Sequence, residues 1–423
     1  MISVASSRFV RGKDFWYNKG FLRAVAEAWP HGKRKSMEIT EDIAYVGVND
    51  HDIDLFEGQY VVPRGMAYNS YLSKDAKTAV MDTADARFGD EWMKNVAAVN
   101  GGKAPDYLVV HHMEPDHSAS IAKALAVWTE TTVVASAQAF RFMEQFFGAA
   151  IAPKRLVVKE GDVLDLGKHK LTFVAAPMVH WPEVMVSYDA TDKVLFSADG
   201  FGKFGANDIE DPEGWDCEAR RYYFGIVGKY GAQTQALLKK AAGLDIQTVC
   251  PLHGPVLKGE EIAHAVKQYM TWSSYGVESE GVCIAYTSVY GHTKEAAQLL
   301  KDELLKRGCP KVAIADLARD DMPETVEDAF RYGKLVLATT TYNMDIFPFM
   351  RTFIEHLTER TYRNRTVGII ENGTWAPNAA KVIKGLFEKS QGITFAEPVV
   401  TVKSALTDAS RAQIAALAAS LWP

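Results

Sequence analysis

The run HHMEPDHS at 111–118 places four potential metal ligands, His112, Glu114, Asp116 and His117, within six residues. Imidazole and carboxylate donors at that density suit a transition-metal ion. The short apolar, β-prone segment Tyr107-Leu108-Val109-Val110 precedes them and reads as a buried strand. The ligands then fall where a strand ends, and there loop side chains can converge on one point while a sheet holds the backbone. A polar run of this kind also suits a plain solvated loop, so the test is whether other strands end in ligands. Three do. Leu171 to Ala176 leads to His180, Lys193 to Ser197 leads to Asp199, and Thr248 to Pro251 leads to His253. Each of these has a bland reading alone, His180 as a core histidine and Asp199 as a turn former before Gly200. Four strand ends that all supply ligands favour a metal centre.

Ligand count and type narrow the metal. His112, His117, His180 and His253 with Glu114, Asp116 and Asp199 make seven donors and no thiolate. Seven exceed the four of one tetrahedral zinc site, so two metals are implied, with one carboxylate free to bridge them. Three carboxylates leave two divalent ions with spare positive charge, which an added hydroxide or oxide can balance as the metals become trivalent. That favours a redox-capable pair, iron or else manganese, over a zinc hydrolase. His111 is set apart, because neighbours on an extended segment point to opposite sides.

The character of the chain changes near 281. Val282 to Tyr286 reads as a strand, Thr287-Ser288-Val289-Tyr290-Gly291-His292-Thr293 as a hydroxyl-rich loop, and Lys294 to Arg307 as a helix with Ala296, Ala297, Leu300 and Leu304 on one face. Backbone N–H groups at a helix start, together with the hydroxyls of Thr287, Ser288 and Thr293, make an anion cradle. Two more strands follow: Lys334 to Ala338 runs into Thr339-Thr340-Thr341-Tyr342-Asn343, and Thr366 to Ile370 into Glu371-Asn372-Gly373-Thr374-Trp375. With helices at Asn378 to Lys389 and Asp408 to Leu421, the alternation predicts a doubly wound parallel sheet, whose ligands sit at the carboxyl ends of the strands.

The metal-ligand layout resembles the metallo-β-lactamase superfamily, whose hydrolases carry HxHxDH; here Glu114 stands in place of the second histidine. With His180, Asp199 and His253 downstream, the chain resembles the flavodiiron proteins, or A-type flavoproteins, a family of rubredoxin:oxygen oxidoreductases and nitric oxide reductases. The intervals of 62, 18 and 53 residues between His117, His180, Asp199 and His253 agree with that pattern. The T-x-x-x-G-x-T loop at 287–293 resembles flavodoxin. The resemblance implies an N-terminal metallo-β-lactamase-like αββα sandwich, α+β in class, followed by an α/β flavodoxin-like domain. It implies two irons on the seven ligands and FMN on the other half, with residues 287–293 at its phosphate and 339–343 and 372–375 around its ring, Trp375 stacking. The expected reaction is reduction of O2 to water, of NO to N2O, or both, in detoxification. A diferrous pair and a flavin hydroquinone hold two electrons each, enough for either. The family likeness further implies a head-to-tail homodimer or a dimer of dimers, fed by a separate donor such as rubredoxin, an NADH-linked reductase or the reduced deazaflavin F420. Two other readings are a zinc metallo-hydrolase fused to a flavodoxin domain, which Glu114 argues against, and an electron-transfer flavoprotein with an inert metal site.

Length and composition fit two domains: 423 residues, 48% apolar and 24% charged. The expected division is an extension at 1–36, a diiron domain at 37–277 and an FMN domain at 278–423, with a linker around Trp272-Ser273-Ser274-Tyr275-Gly276. Met37-Glu38-Ile39-Thr40 resembles the family's usual start; the extension before it carries Phe15, Trp16, Tyr17 and Phe21 but no apolar core of signal-peptide length. A net charge of -6 suggests no nucleic-acid or membrane partner, no apolar run suffices to span a bilayer, and a cytoplasmic location is expected. Cys217, Cys250, Cys283 and Cys309 form no CxxC pair, so no rubredoxin-type iron site and no disulfides are expected.

Overall fold

A computed structural model describes residues 38–423. The extension at 1–36, with its aromatic residues, lies outside the described residues. Alternation along the strand before the ligand run shows how the first half is layered. Leu108 packs outward with Trp92, Ile121, Phe140 and Met143 of flanking helices. Val109, one residue on, packs inward against Phe173, Met185 and Phe196 of a second sheet. A period of two therefore divides each strand between a helix-facing and a sheet-facing side.

The first sheet has the order β1 (Ile43–Tyr45), β2 (Tyr71–Ser73), β3 (Ala79–Met81), β4 (Tyr107–Val109), β5 (Thr132–Ala135), β6 (Arg155–Val157). Its first two pairings are antiparallel and the rest parallel. The second has the order β7 (Val163–Asp165), β8 (Lys170–Ala175), β9 (Met185–Asp189), β10 (Val194–Phe196), β11 (Thr248–Cys250), β12 (Leu257–Lys258). Only β10 and β11 pair in parallel there. Helix α1 (Asp216–Tyr222) and helix α2 (Glu260–Ser273) cover its outer side through Ala219, Ala265, Tyr269 and Trp272. The result is the expected αββα sandwich.

The third sheet joins β13 (Ser279–Tyr286), β14 (Val312–Asp316), β15 (Tyr332–Tyr342), β16 (Thr366–Asn372) and a last strand split into β17 (Thr394–Phe395) and β18 (Val400–Val402). All these pairings are parallel, in the order β14-β13-β15-β16 and then β17 and β18. This is the 2-1-3-4-5 order of doubly wound flavodoxin-like folds. Its helices include α3 (His292–Lys306), α4 (Met322–Arg331) and α5 (Pro348–Glu359).

The expected linker is tighter than its composition suggests. Gln268 to Ser273 belong to α2, and Trp272 is buried in a core that runs on through Phe330, Tyr332 and Leu335 of the C-terminal half. Arg365 fixes the crossing by donating to the carbonyls of Tyr275, Gly276 and Phe330 at 2.8, 2.9 and 2.6 Å. Serine and glycine in sequence read as slack, but here the backbone oxygens of Tyr275 and Gly276 serve as acceptors.

At the other end of the sandwich, the buried His169 bonds Asp189 of β9 at 2.7 Å and Asp42, just before β1, at 3.1 Å. Burial opposes its charge, but the hydrogen bonds its ring donates to these two carboxylates outweigh burial and raise its pKa above 6.5. A histidine raised in the folded state stabilises most below its unfolded pKa, and that share disappears as pH climbs through the folded one. Urea midpoints measured from pH 6 to pH 9 should therefore fall more steeply for the wild type than for His169→Gln. Parallel profiles would refute this role for His169.

Candidate metal centre

Four strand ends carry the ligands to one place. Beyond β4, His111 and His112 continue the alternation: His111 turns between the sheets, its ring bonded to Asp82 at 2.6 Å and Ser187 at 2.8 Å, and is spent there. His112 turns the other way. Pro115 then starts a single turn of helix, Pro115–Ser118, which brings Asp116 and His117 back beside His112. His180 follows β8, Asp199 follows β10 and His253 follows β11.

The seven side chains fall into two groups, His112, Glu114, His180 and Asp199 in one and Asp116, His117 and His253 in the other. In the first, Glu114 Oε2 lies 3.2 Å from His112 Nε2 and 3.0 Å from His180 Nε2. Asp199 Oδ2 lies 3.2 and 3.1 Å from the same two nitrogens. In the second, Asp116 Oδ2 stands 3.3 Å from His117 Nε2 and 3.2 Å from His253 Nε2. Asp199 Oδ1 faces that group at 3.6 and 3.8 Å. One oxygen of Asp199 thus serves each group, as a bridging carboxylate does.

The polar atoms left unsatisfied fit two cations. Both oxygens of Asp116 and of Asp199 are buried with no hydrogen-bond partner. The Nε2 atoms of His117 and His253 face each other at 2.9 Å. Buried carboxylates without donors, around opposed imidazole nitrogens, are costly unless a metal lies between them. Charge in the site is consistent with this. Burial opposes the charge on His180, but the carboxylates of Asp199 and Glu114 beside it raise its pKa to about 9. His112 is held up likewise against burial, chiefly by the charge of Asp199. Metal binding would displace these protons and so be favoured by rising pH.

Sequence reasoning did not find the groups that orient the ligands, because each comes from a distant segment. His112 Nδ1 bonds Glu183 Oε1 at 2.9 Å, and the same oxygen accepts the Met113 N–H at 2.9 Å. His253 Nδ1 bonds the Ala67 carbonyl at 2.7 Å. Outer partners of this kind fix the tautomer and aim the ligating nitrogen, and their loss costs about 10- to 100-fold in metal affinity. Glu183→Gln should weaken metal retention within that range in a chelator competition; unchanged retention would show that Glu183 only packs. Aromatic rings close the walls: Trp181 stands edge-on to His112 at 5.3 Å, and Phe56 and Tyr222 each lie 5.4 Å from His253. Glu57, on the hairpin at 55–61, was also missed. Although exposed overall, its carboxyl is crowded out of water beside Glu114, and this desolvation, with the Glu114 charge, pushes its pKa up to about 7.

The candidate flavin residues gather at the carboxyl ends of β13, β15 and β16. Gly291 takes the left-handed conformation, φ 94°, that starts α3, and its N–H bonds Ser288 Oγ at 3.1 Å. Thr287 is buried and shares a 2.7 Å bond with Thr339. Thr293 is buried at the helix start, whereas Val289, Tyr290, Gly291 and His292 are exposed. From the second loop, Thr341 accepts the Asn378 N–H at 2.9 Å, Thr340 Oγ1 is buried without a partner, and Tyr342 and Asn343 are exposed. From the third, Asn372 bonds the Ser404 carbonyl at 3.0 Å and Thr374 accepts from Ser404 Oγ at 3.0 Å. Ser404, after β18, adds a fourth loop that carried no signal in sequence. Gly373 is half-buried, and Trp375 stands 88% exposed.

Known proteins are similar to this chain. The family description "ODP family beta lactamase" matches residues 66–254, which span all seven ligands. The rubredoxin-oxygen oxidoreductase of Megalodesulfovibrio gigas is 28% identical over 399 residues, covering 92% of this chain and 97% of its own length. The solved rubredoxin oxygen:oxidoreductase from Desulfovibrio gigas superposes on both halves with a TM-score of 0.85 at 27% identity, over 91% of this chain and 97% of that one. The chain is similar to the flavodiiron proteins along both halves. A protein named nitric oxide reductase from Moorella thermoacetica is also similar to this chain, 27% identical over 86% of it and 92% of the relative.

Proposed function

We propose that this chain is an oxidoreductase that reduces a small oxidant, O2, NO or both, at a diiron centre supplied with electrons through FMN. The observation that carries the reading is Asp199, whose two oxygens face two separate histidine-carboxylate groups in one buried, thiolate-free pocket. Relatives named as oxygen and nitric oxide reductases support it. We assign the irons to His112, Glu114, Asp116, His117, His180, Asp199 and His253, and FMN to the loops at 287–293, 339–343 and 372–375. When bound, the iron pair and the flavin supply electrons, two from each when reduced.

The chain's own residues do the rest. Imidazoles and carboxylates hold the metals, while Trp181, Phe56 and Tyr222 limit access of bulk water. Glu57 can hold a proton at the mouth near neutral pH, where reduction of an oxidant consumes protons. The hydroxyls of Ser288 and Thr293 and the start of α3 receive a phosphate. The exposed Trp375, Tyr342 and Tyr290 offer an apolar rim to the ring and to whatever docks over it, a second copy in a head-to-tail homodimer or a separate donor such as rubredoxin. No helix among the described residues is long and apolar enough to cross a membrane, and we place the protein in the cytoplasm.

Metal analysis, a visible spectrum and rapid mixing test the reading together. Two irons and one FMN per chain, with prompt reoxidation of the reduced protein by O2 or NO, are expected. Two zincs and hydrolysis of a thioester or lactam would overturn it in favour of a hydrolase, and slow reoxidation by both gases in favour of an electron carrier. Sedimentation of a fully active monomer would refute the dimer.

A further inference from the structure

We propose that the seam between the two halves binds a small inorganic oxyanion of the phosphate class, in a cavity that Arg221, His356 and Arg360 line together with Gln59 and Tyr60. The cavity is approximately 110 Å3, several times the ~10–15 Å3 that a single water needs. No carboxylate lines it. The cationic groups come from both sides, Arg221 from α1 in the metal half and His356 and Arg360 from the end of α5 in the FMN half.

Arg360 is the cation here without a carboxylate partner, whereas Arg221 has Glu324, Glu218 and Asp321 around it. Arg360 donates only to neutral acceptors: the Phe224 carbonyl at 2.8 Å, the His356 carbonyl and ring Nδ1 at 3.1 Å each, the Tyr60 hydroxyl at 3.2 Å and the Gly225 carbonyl at 3.3 Å. Among the described residues no carboxylate forms an ion pair with it. Arg221 is 2% exposed; its Nε reaches Glu324 at 2.8 Å, with Glu218 at 3.6 Å, and its Nη2 lies 3.8 Å from Asp321. Its Nη2 also donates to the Val61 carbonyl, and its Nη1 is buried with no partner. Buried guanidinium donors are seldom left unpaired, and an arginine fork matches the oxygens of a tetrahedral anion. His356 adds a second donor beside Arg221 Nη1: with Nδ1 accepting from Arg360, its proton sits on Nε2, while Arg360, whose five N–H groups are engaged, contributes its charge.

The location gives the site a consequence. Gln59 and Tyr60 belong to the hairpin that carries Glu57 beside Glu114. An anion shared by Arg221 and Arg360 would pin this hairpin, at the mouth of the metal pocket, to the FMN half.

Calorimetric titration of inorganic phosphate into the protein with FMN and iron bound, at constant ionic strength, tests this; the flavin's own phosphate then fills its cradle. We expect one saturable site per chain that leaves the visible spectrum unchanged and weakens at least 10-fold in Arg360→Gln and in His356→Asn. His356 is only half-buried, so its variant keeps the test decisive should Arg360→Gln fail to fold. The absence of a saturable site, or phosphate binding that perturbs the spectrum and persists in the variants, would overturn the proposal, the latter by placing phosphate on the metals.

Discussion

Asp199→Ala is expected to strip both metals from the protein, while Asp116→Ala should strip mainly one. The difference follows from geometry. Asp199 Oδ2 lies within 3.2 Å of His112 and His180, and its Oδ1 turns to His117 and His253 at 3.6 and 3.8 Å. Asp116 Oδ2 approaches only His117 and His253. Removing Asp199 thus takes an anionic donor from both groups and leaves four imidazoles crowded with less compensating charge, so neither cation is held well. Turnover of O2 or NO should drop by roughly three orders of magnitude, about 4 kcal/mol at 1.36 kcal/mol per decade. Iron per chain should fall from two towards zero in Asp199→Ala and towards one in Asp116→Ala. Two irons retained after loss of Asp199 would show that it bridges nothing. FMN content serves as the control, since it should not change in either variant.

The convergence of the candidate ligands was legible because each follows an apolar strand that is recognisable by itself. A ligand a few residues past a strand end has little freedom in where it can go, so Asp199 after Val194–Phe196 and His253 after Thr248–Cys250 could be placed before any packing was known. His111 was legible in the same way, from alternation, and the structure shows it turned between the sheets. Glu183 and the Ala67 carbonyl were not, because nothing local marks a carboxylate or a backbone oxygen as the partner of a ring some 70 or 186 residues away. Only the stacking of the two sheets makes them neighbours. Ser404 escaped notice for a related reason: the last strand is broken into two short pieces, too weak a pattern to announce the loop after it. The seam was the least legible region. Its arginines sit on helices that read as ordinary charged surfaces until the second half of the chain covers them.

That burial sets the second large effect, in Arg220→Leu. Arg220 is buried on α1, where its Nε donates to Glu327 of α4 and its Nη1 to Glu278 at 2.7 Å. Glu278 in turn accepts from Trp272 Nε1 at 2.7 Å, and close by Phe224 stacks on Phe330 with ring centroids 4.2 Å apart. The network ties the halves together inside one continuous core. Exchanging a buried ion pair for a well-packed apolar pair can be neutral, but removing a single partner leaves a buried charge uncompensated, at a cost of about 3–5 kcal/mol. Arg220→Leu should lower the denaturation midpoint accordingly, and Arg220→Leu with Glu327→Leu should recover most of the loss. The sign with pH follows from Glu327. Burial pushes its pKa up to about 8 even though the Arg220 charge pulls it down, so the folded state takes up its proton more readily than an unfolded glutamate at 4.5. Without Arg220 the shift must grow. The deficit of Arg220→Leu is therefore largest at pH 8 and above and shrinks towards pH 5, where Glu327 is protonated and only Glu278, still bonded to Trp272, has lost its cation. A deficit that is constant across that range, or a double variant no more stable than the single one, would mean that Arg220 acts through packing and not as the cation that neutralises the seam.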